Sequence, residues 1–107
     1  MKLMLSCIGG ISTKLLIEKI EIAAKERNIQ IKVWSVPETQ IEEELGRFDV
    51  LLITPPVNKS RVAKLLDGKY PVNNIELGKY TTLDGHGVLD QAITLYETFY
   101  QKMSRKK

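Results

Sequence analysis

Cys7 is the only cysteine of the chain, and it stands between the apolar run Leu3-Met4-Leu5 and the stretch Ile8-Gly9-Gly10-Ile11-Ser12-Thr13. A thiol there is a candidate nucleophile facing a loop that would fit a phosphate. Unpaired backbone amides at the start of a helix, together with the positive end of its dipole, favour a thiolate and hold a phosphoryl group bonded to it. Ser12 and Thr13 add two hydroxyls, which either donate to phosphoryl oxygens or cap the first helix, and both roles face the same place. The alternative is an inert buried cysteine, the commonest fate of a lone thiol.

Other phosphate chemistries fit this loop less well. A Walker loop needs Gly-Lys-Ser/Thr in that order, whereas Ser12-Thr13 precedes Lys14, and no Gly-x-Gly-x-x-Gly follows the first apolar run. A cysteine phosphatase needs a cation to clamp the phosphate and an acid to protonate the leaving oxygen. The loop contains no arginine. Lys14 is the nearest cation, sits in a first helical turn open to solvent, and lacks the planar fork of a guanidinium. A phosphocysteine here is therefore expected to hydrolyse slowly, which suits a carrier. Exchange between two partners calls for a shallow site, so Cys7 is expected to be partly exposed with a depressed pKa.

The elements that must position this loop alternate strand and helix, the pattern of a parallel sheet with crossover helices. Lys2–Ser6 reads as a buried strand, followed by a helix over about Thr13–Arg27 with Leu16, Ile20, Ala23 and Ala24 on one face. Ile29–Val33 alternates with period two and is expected to be an edge strand. Thr39-Gln40-Ile41-Glu42 has capping-box spacing, predicting a short helix from there to Leu45 that stops at Gly46. Val50–Ile53 is apolar on both faces, as for a central parallel strand. Asn58 is expected to cap a helix carrying Val62, Leu65 and Leu66, closed by Gly68 before a fourth strand near Val72–Glu76. Asp84-Gly85 introduces a last helix whose Val88, Ala92, Leu95, Phe99 and Met103 form a core stripe. Ligands of such sheets collect beyond the carboxyl ends of the strands, where the Cys7 loop, Trp34–Glu38 and Thr54-Pro55-Pro56 all emerge. Trp34 is read as a packing residue.

A length of 107 residues fits one domain, read as 1–104 with a basic tail at 105–107. The composition, 43% hydrophobic and 27% charged, is ordinary for a globular protein. No stretch approaches the roughly 20 apolar residues that span a bilayer, and the opening residues lack the apolar core of a secretory signal, so the chain is expected in the cytoplasm. One cysteine and one histidine, His86, support neither a disulfide framework nor a zinc site, and no metal or other cofactor is called for. The net charge of +3 comes from Lys102, Arg105, Lys106 and Lys107, a solvated helix end with no stacking platform for nucleic acid.

The run Cys7-Ile8-Gly9-Gly10-Ile11-Ser12-Thr13-Lys14-Leu15-Leu16 resembles the Cys-x-x-Gly-Met-Ser-Thr-x-Leu-Leu phosphorylation loop of the lactose/cellobiose-type IIB components of the sugar phosphotransferase system (PTS). Pro37-Glu38-Thr39, Asp49-Val50-Leu51-Leu52 with Pro55, and Tyr80 with Asp84-Gly85-x-Gly87-Val88-Leu89 resemble the same family, so the likeness covers nearly the whole chain. It implies a flavodoxin-like, phosphotyrosine-phosphatase-like three-layer sandwich: an α/β fold with a four-stranded parallel sheet flanked by helices on both faces. It further implies that Cys7 accepts a phosphoryl group from the phosphohistidine of a IIA protein. The group then passes to cellobiose, chitobiose, lactose or a related β-glycoside in the membrane IIC component. On this reading the amides of Ile8, Gly9, Gly10, Ile11, Ser12 and Thr13, with the Ser12 and Thr13 hydroxyls, form the phosphate cradle.

Two departures stand out. Ile11 takes the place of the usual methionine, and Thr54 and Pro56 take the places of a glycine and a glutamine beside Pro55. The second change lies where partners are expected to touch, making Thr54, Pro55, Pro56, Tyr80 and Asp84 partner-contact candidates. In the family the phosphorylated histidine belongs to the partner, so His86 is read as a surface residue near a helix start. The competing functions are a low-molecular-weight cysteine phosphatase or reductase on a similar scaffold, and a IIB-like sensor that does not pass phosphate on. A monomer that inserts in no membrane is the expected state.

Overall fold

The computed structural model describes residues 1–7, 11–54 and 57–105. Four strands, β1 (Lys2–Ser6), β2 (Lys32–Ser35), β3 (Val50–Ile53) and β4 (Val72–Asn74), form one parallel sheet in the order β2-β1-β3-β4. Between and after them run the helices α1 (Ile11–Glu26), α2 (Lys59–Leu66), α3 (Leu77–Thr81) and α4 (Gly85–Arg105). β1 and β3 are central, and β2 is an edge strand as its alternation predicts.

Each central strand is covered on both faces because its side chains alternate between two cores. Leu3 and Leu5 of β1, with Val50 and Leu52 of β3, pack under Leu16, Ile20, Ala23 and Ala24 of α1 and Val88, Leu89 and Ala92 of α4. Met4, Leu51 and Ile53 face the other way, against Ile41, Phe48, Val62 and Leu66. These are the three layers that the patterning and the resemblance call for. Gly85 permits the close contact of α4 with α1, since a Cβ there would run into the Lys19 backbone. Farther along α4, Leu95 and Phe99 are only half-buried. A helix of roughly 30 Å outruns strands of roughly 13 Å, so the far end of its stripe has no sheet beneath it.

Several expected boundaries move, for local reasons. β2 begins at Lys32 because Ile29 is spent on closing α1. With Asn28 left-handed at φ 57°, Asn28 N–H donates to Lys25 O and Ile29 N–H to Ala24 O, which is a Schellman closure. In place of the helix expected over 39–45 there are two 3₁₀ turns, Glu38–Gln40 and Glu42–Glu44. Pro37 starts the first of them, so Thr39 lies inside the turn and cannot cap it, and no side-chain cap bond forms. Gly46, at φ +88°, ends the segment as expected. Asn58 does cap α2, its Oδ1 accepting from Arg61 N–H at 3.0 Å. That helix closes through left-handed Asp67, one residue before Gly68, and Leu65 stays on its exposed side. The fourth strand stops at Asn74, and α3 is an element that the sequence pattern did not reveal.

Candidate functional site

β1 and β3 end side by side. Their register pairs Leu3 with Val50, Leu5 with Leu52 and Ser6 with Ile53, so one step further along it puts Cys7 opposite Thr54. Leu5 and Leu52 share the α1/α4 face, and alternation returns Cys7 and Thr54 to that face. Thr54 N–H donates to Ser6 O at 3.2 Å, while Thr54 O accepts from Val57 N–H at 3.0 Å. The end of β3 is thereby pinned beside the thiol. Thr13, in the first turn of α1, also reaches the thiol.

Cys7 is 6% exposed and belongs to the core cluster with Leu5, Leu16 and Leu52. This corrects the expectation of a shallow thiol with a depressed pKa. β1 carries its core alternation one residue past its last paired position, so the side chain goes inward. Burial pushes the Cys7 thiol up, and the Thr54 hydroxyl and then the Thr13 hydroxyl offset only part of that rise. Both hydroxyls are close enough to stabilise the sulfur. Neither meets hydrogen-bond geometry with it or with any other group among the described residues. Thr13 and Thr54 are 2% and 4% exposed, and buried hydroxyls without partners are uncommon in folded chains. The site therefore has two hydroxyl donors beside a buried thiol near the start of α1, an arrangement that fits a group with several anionic oxygens.

The remaining candidate residues scatter. Ile8, Gly9, Gly10, Pro55 and Pro56 lie outside the described residues, and Ile11 and Ser12 are described as the opening backbone of α1. Thr54 is 4% exposed, with its hydroxyl near Cys7. Tyr80 is half-buried, packed on the cluster that holds Cys7. Asp84 is exposed and caps α4, its Oδ1 accepting from Gly87 N–H at 2.9 Å. His86 is a surface residue whose Nδ1 accepts from Arg27 Nε at 3.1 Å. Trp34 packs on the α2-side core and donates from Nε1 to Glu44 Oε1 at 2.9 Å. Arg27, Arg47 and Arg61 are paired with Asp90, Glu44 and Glu38. Among the described residues no three His, Cys, Asp or Glu side chains stand together as a metal site.

Sequence reasoning missed Ser6, whose hydroxyl is fully buried on the opposite face and also unpartnered among the described residues. Its signal was present, a polar residue closing an otherwise apolar central strand. The inward aim of Thr54 was legible only once β3 had been set in register with β1.

Fold and site together define a three-layer α/β protein with a cysteine at the carboxyl end of its first strand. The family model for the lactose/cellobiose-specific IIB subunit of the PTS matches residues 2–91. The chain belongs to that family. A Bacillus subtilis (strain 168) protein described as an oligo-beta-mannoside-specific EIIB component of the PTS is 30% identical over 97 residues, covering 88% of this chain and 94% of the relative. The solution structure of a cellobiose-specific phosphotransferase IIB component from Borrelia burgdorferi superposes with a TM-score of 0.77 at 34% identity, over 92% of this chain and 93% of that one. The lactose-specific IIB component domain from Streptococcus pneumoniae shares the fold, with a TM-score of 0.74 at 16% identity over 90% and 97% of the two chains. No helix among the described residues is long and apolar enough to cross a membrane.

Proposed function

We propose that the chain is a phosphoryl carrier in which Cys7 takes a phosphoryl group from the phosphohistidine of a IIA protein and delivers it to a sugar held by a membrane IIC component. In the first step sulfur attacks phosphorus in line, the S–P bond forms as the P–N bond breaks, and the thiol proton ends on the departing imidazole nitrogen. In the second a sugar hydroxyl oxygen attacks phosphorus, the O–P bond forms as the S–P bond breaks, and the hydroxyl proton returns to the sulfur. Positioning and charge stabilisation supply most of the catalysis of such transfers.

The observation that carries this reading is the pair of buried, unpartnered hydroxyls of Thr13 and Thr54 beside Cys7, at the start of α1. The acceptor is a β-glycoside such as cellobiose, chitobiose, lactose or an oligo-β-mannoside. The carrier works in the cytoplasm as a monomer, with Tyr80 and Asp84 near the surface that meets its partners.

The test is intact-mass spectrometry after incubation with phosphoenolpyruvate, the general phosphotransferase proteins and a IIA protein. The wild type is expected to gain one phosphate and Cys7→Ser none. Full incorporation by Cys7→Ser would overturn the mechanism.

A further inference from the structure

We propose that Thr54 is a ligand of the transferred phosphoryl group, donating a hydrogen bond from its hydroxyl to the group carried on Cys7 Sγ. The inference rests on the carrier reading above and adds a residue just after β3 to Cys7 and to Thr13 of α1.

Three observations converge on Thr54. The register of β1 with β3 sets it opposite Cys7 on the same face of the sheet. Both of its backbone polar groups are engaged, the N–H with Ser6 O and the carbonyl with Val57 N–H, so its Cα has little freedom. A β-branched side chain on a fixed backbone is also stiff at χ1. Its hydroxyl is buried, close to the thiol and without a partner among the described residues. An unpaired buried hydroxyl costs stability, and here a phosphoryl oxygen would supply an acceptor that none of the described residues provides. Thr13, in the first turn of α1, is in the same condition, so the two hydroxyls approach the sulfur from separate elements. Hydrogen bonds to an ionised acceptor are among the stronger ones, and the same donor stabilises the thiolate while the group is being exchanged.

The experiment compares full-length wild type, Thr54→Val and Thr54→Ser in two measurements. One is the equilibrium share of phosphate taken from a fixed amount of phosphorylated IIA protein, read by intact mass. The other is the pH midpoint of Cys7 alkylation by iodoacetamide. Valine keeps the shape without the donor and is expected to lower the partition constant by about tenfold or more. It should also raise the alkylation midpoint while leaving the thermal melt at or above that of the wild type. Serine should restore both readouts. A Thr54→Val chain that melts normally and is charged like the wild type overturns the assignment, even if its alkylation midpoint moves. If the wild type itself takes no phosphate, the carrier reading fails and the role of Thr54 as a phosphoryl ligand falls with it.

Discussion

At the amino end of the sheet the polar groups close on one another. Asp49 N–H donates to Lys2 O and Lys2 N–H to Asp49 Oδ2, both at 2.8 Å, and the Tyr100 hydroxyl donates to Asp49 O at 3.0 Å. At the carboxyl end, the hydroxyls of Ser6, Thr13 and Thr54 are buried and have no partner among the described residues. The two ends differ in purpose. One spends its hydrogen bonds on tying β1, β3 and α4 together, while the other leaves Thr13 and Thr54 beside Cys7, and Ser6 on the opposite face. Leaving a buried donor unmatched costs roughly 1–3 kcal/mol, so the carboxyl end is the less stabilised of the two, as is common where a site trades stability for function.

The largest break in this contrast is Cys7→Ser, which should abolish phosphate uptake while the chain stays folded, as checked by intact mass and circular dichroism. The next effect belongs to the amino end. Asp49→Ala removes the acceptor of Lys2 N–H and should lower the unfolding free energy by about 1–2 kcal/mol in urea titration, with phosphate uptake unchanged. Ser6→Ala should do the reverse of Asp49→Ala. Deleting an unmatched buried hydroxyl is expected to raise the unfolding free energy, by about 1 kcal/mol at most, and a fall would mean that the hydroxyl is matched in the resting protein.

The smallest effect is a pH slope. Because burial raises the folded Cys7 pKa, folded and unfolded chains are equally protonated at sulfur below the unfolded thiol's pKa. Above it the folded chain keeps a proton that the unfolded chain has lost. Stability should therefore decline as pH rises from the unfolded toward the folded pKa, and Cys7→Ala should flatten that decline in melts run across the alkaline range. A wild type and a Cys7→Ala chain with the same slope would show the thiol to be no more buried than in the unfolded state.

Much of the scaffold was legible because it follows from local pattern. β1 and β3 coincide with the apolar runs Lys2–Ser6 and Val50–Ile53, the buried face of α1 with its heptad-like spacing, and the α2 cap with Asn58. These features depend on residues near in sequence, where periodicity and capping chemistry act. The displaced elements depend on competition between neighbours. Ile29 has a strand-forming side chain, but its N–H is already spent on the last turn of α1. Thr39 has capping chemistry, but Pro37 begins the turn before it, and Trp34 and Arg61 hold the flanking Glu44 and Glu38.

The candidate site divides along the same line. Residue types and order alone determined the cysteine's place between a strand and a helix, the flanking hydroxyls and the family they resemble. Whether Cys7 faced solvent, and whether Thr54 faced a partner or the sulfur, only the tertiary structure decided. Both depend on how two strands far apart in the chain set their register, Ser6 pairing with Ile53 47 positions further along. A single step of that register turns every side chain on a strand to the other face, and no local pattern around Cys7 or Thr54 carries that information.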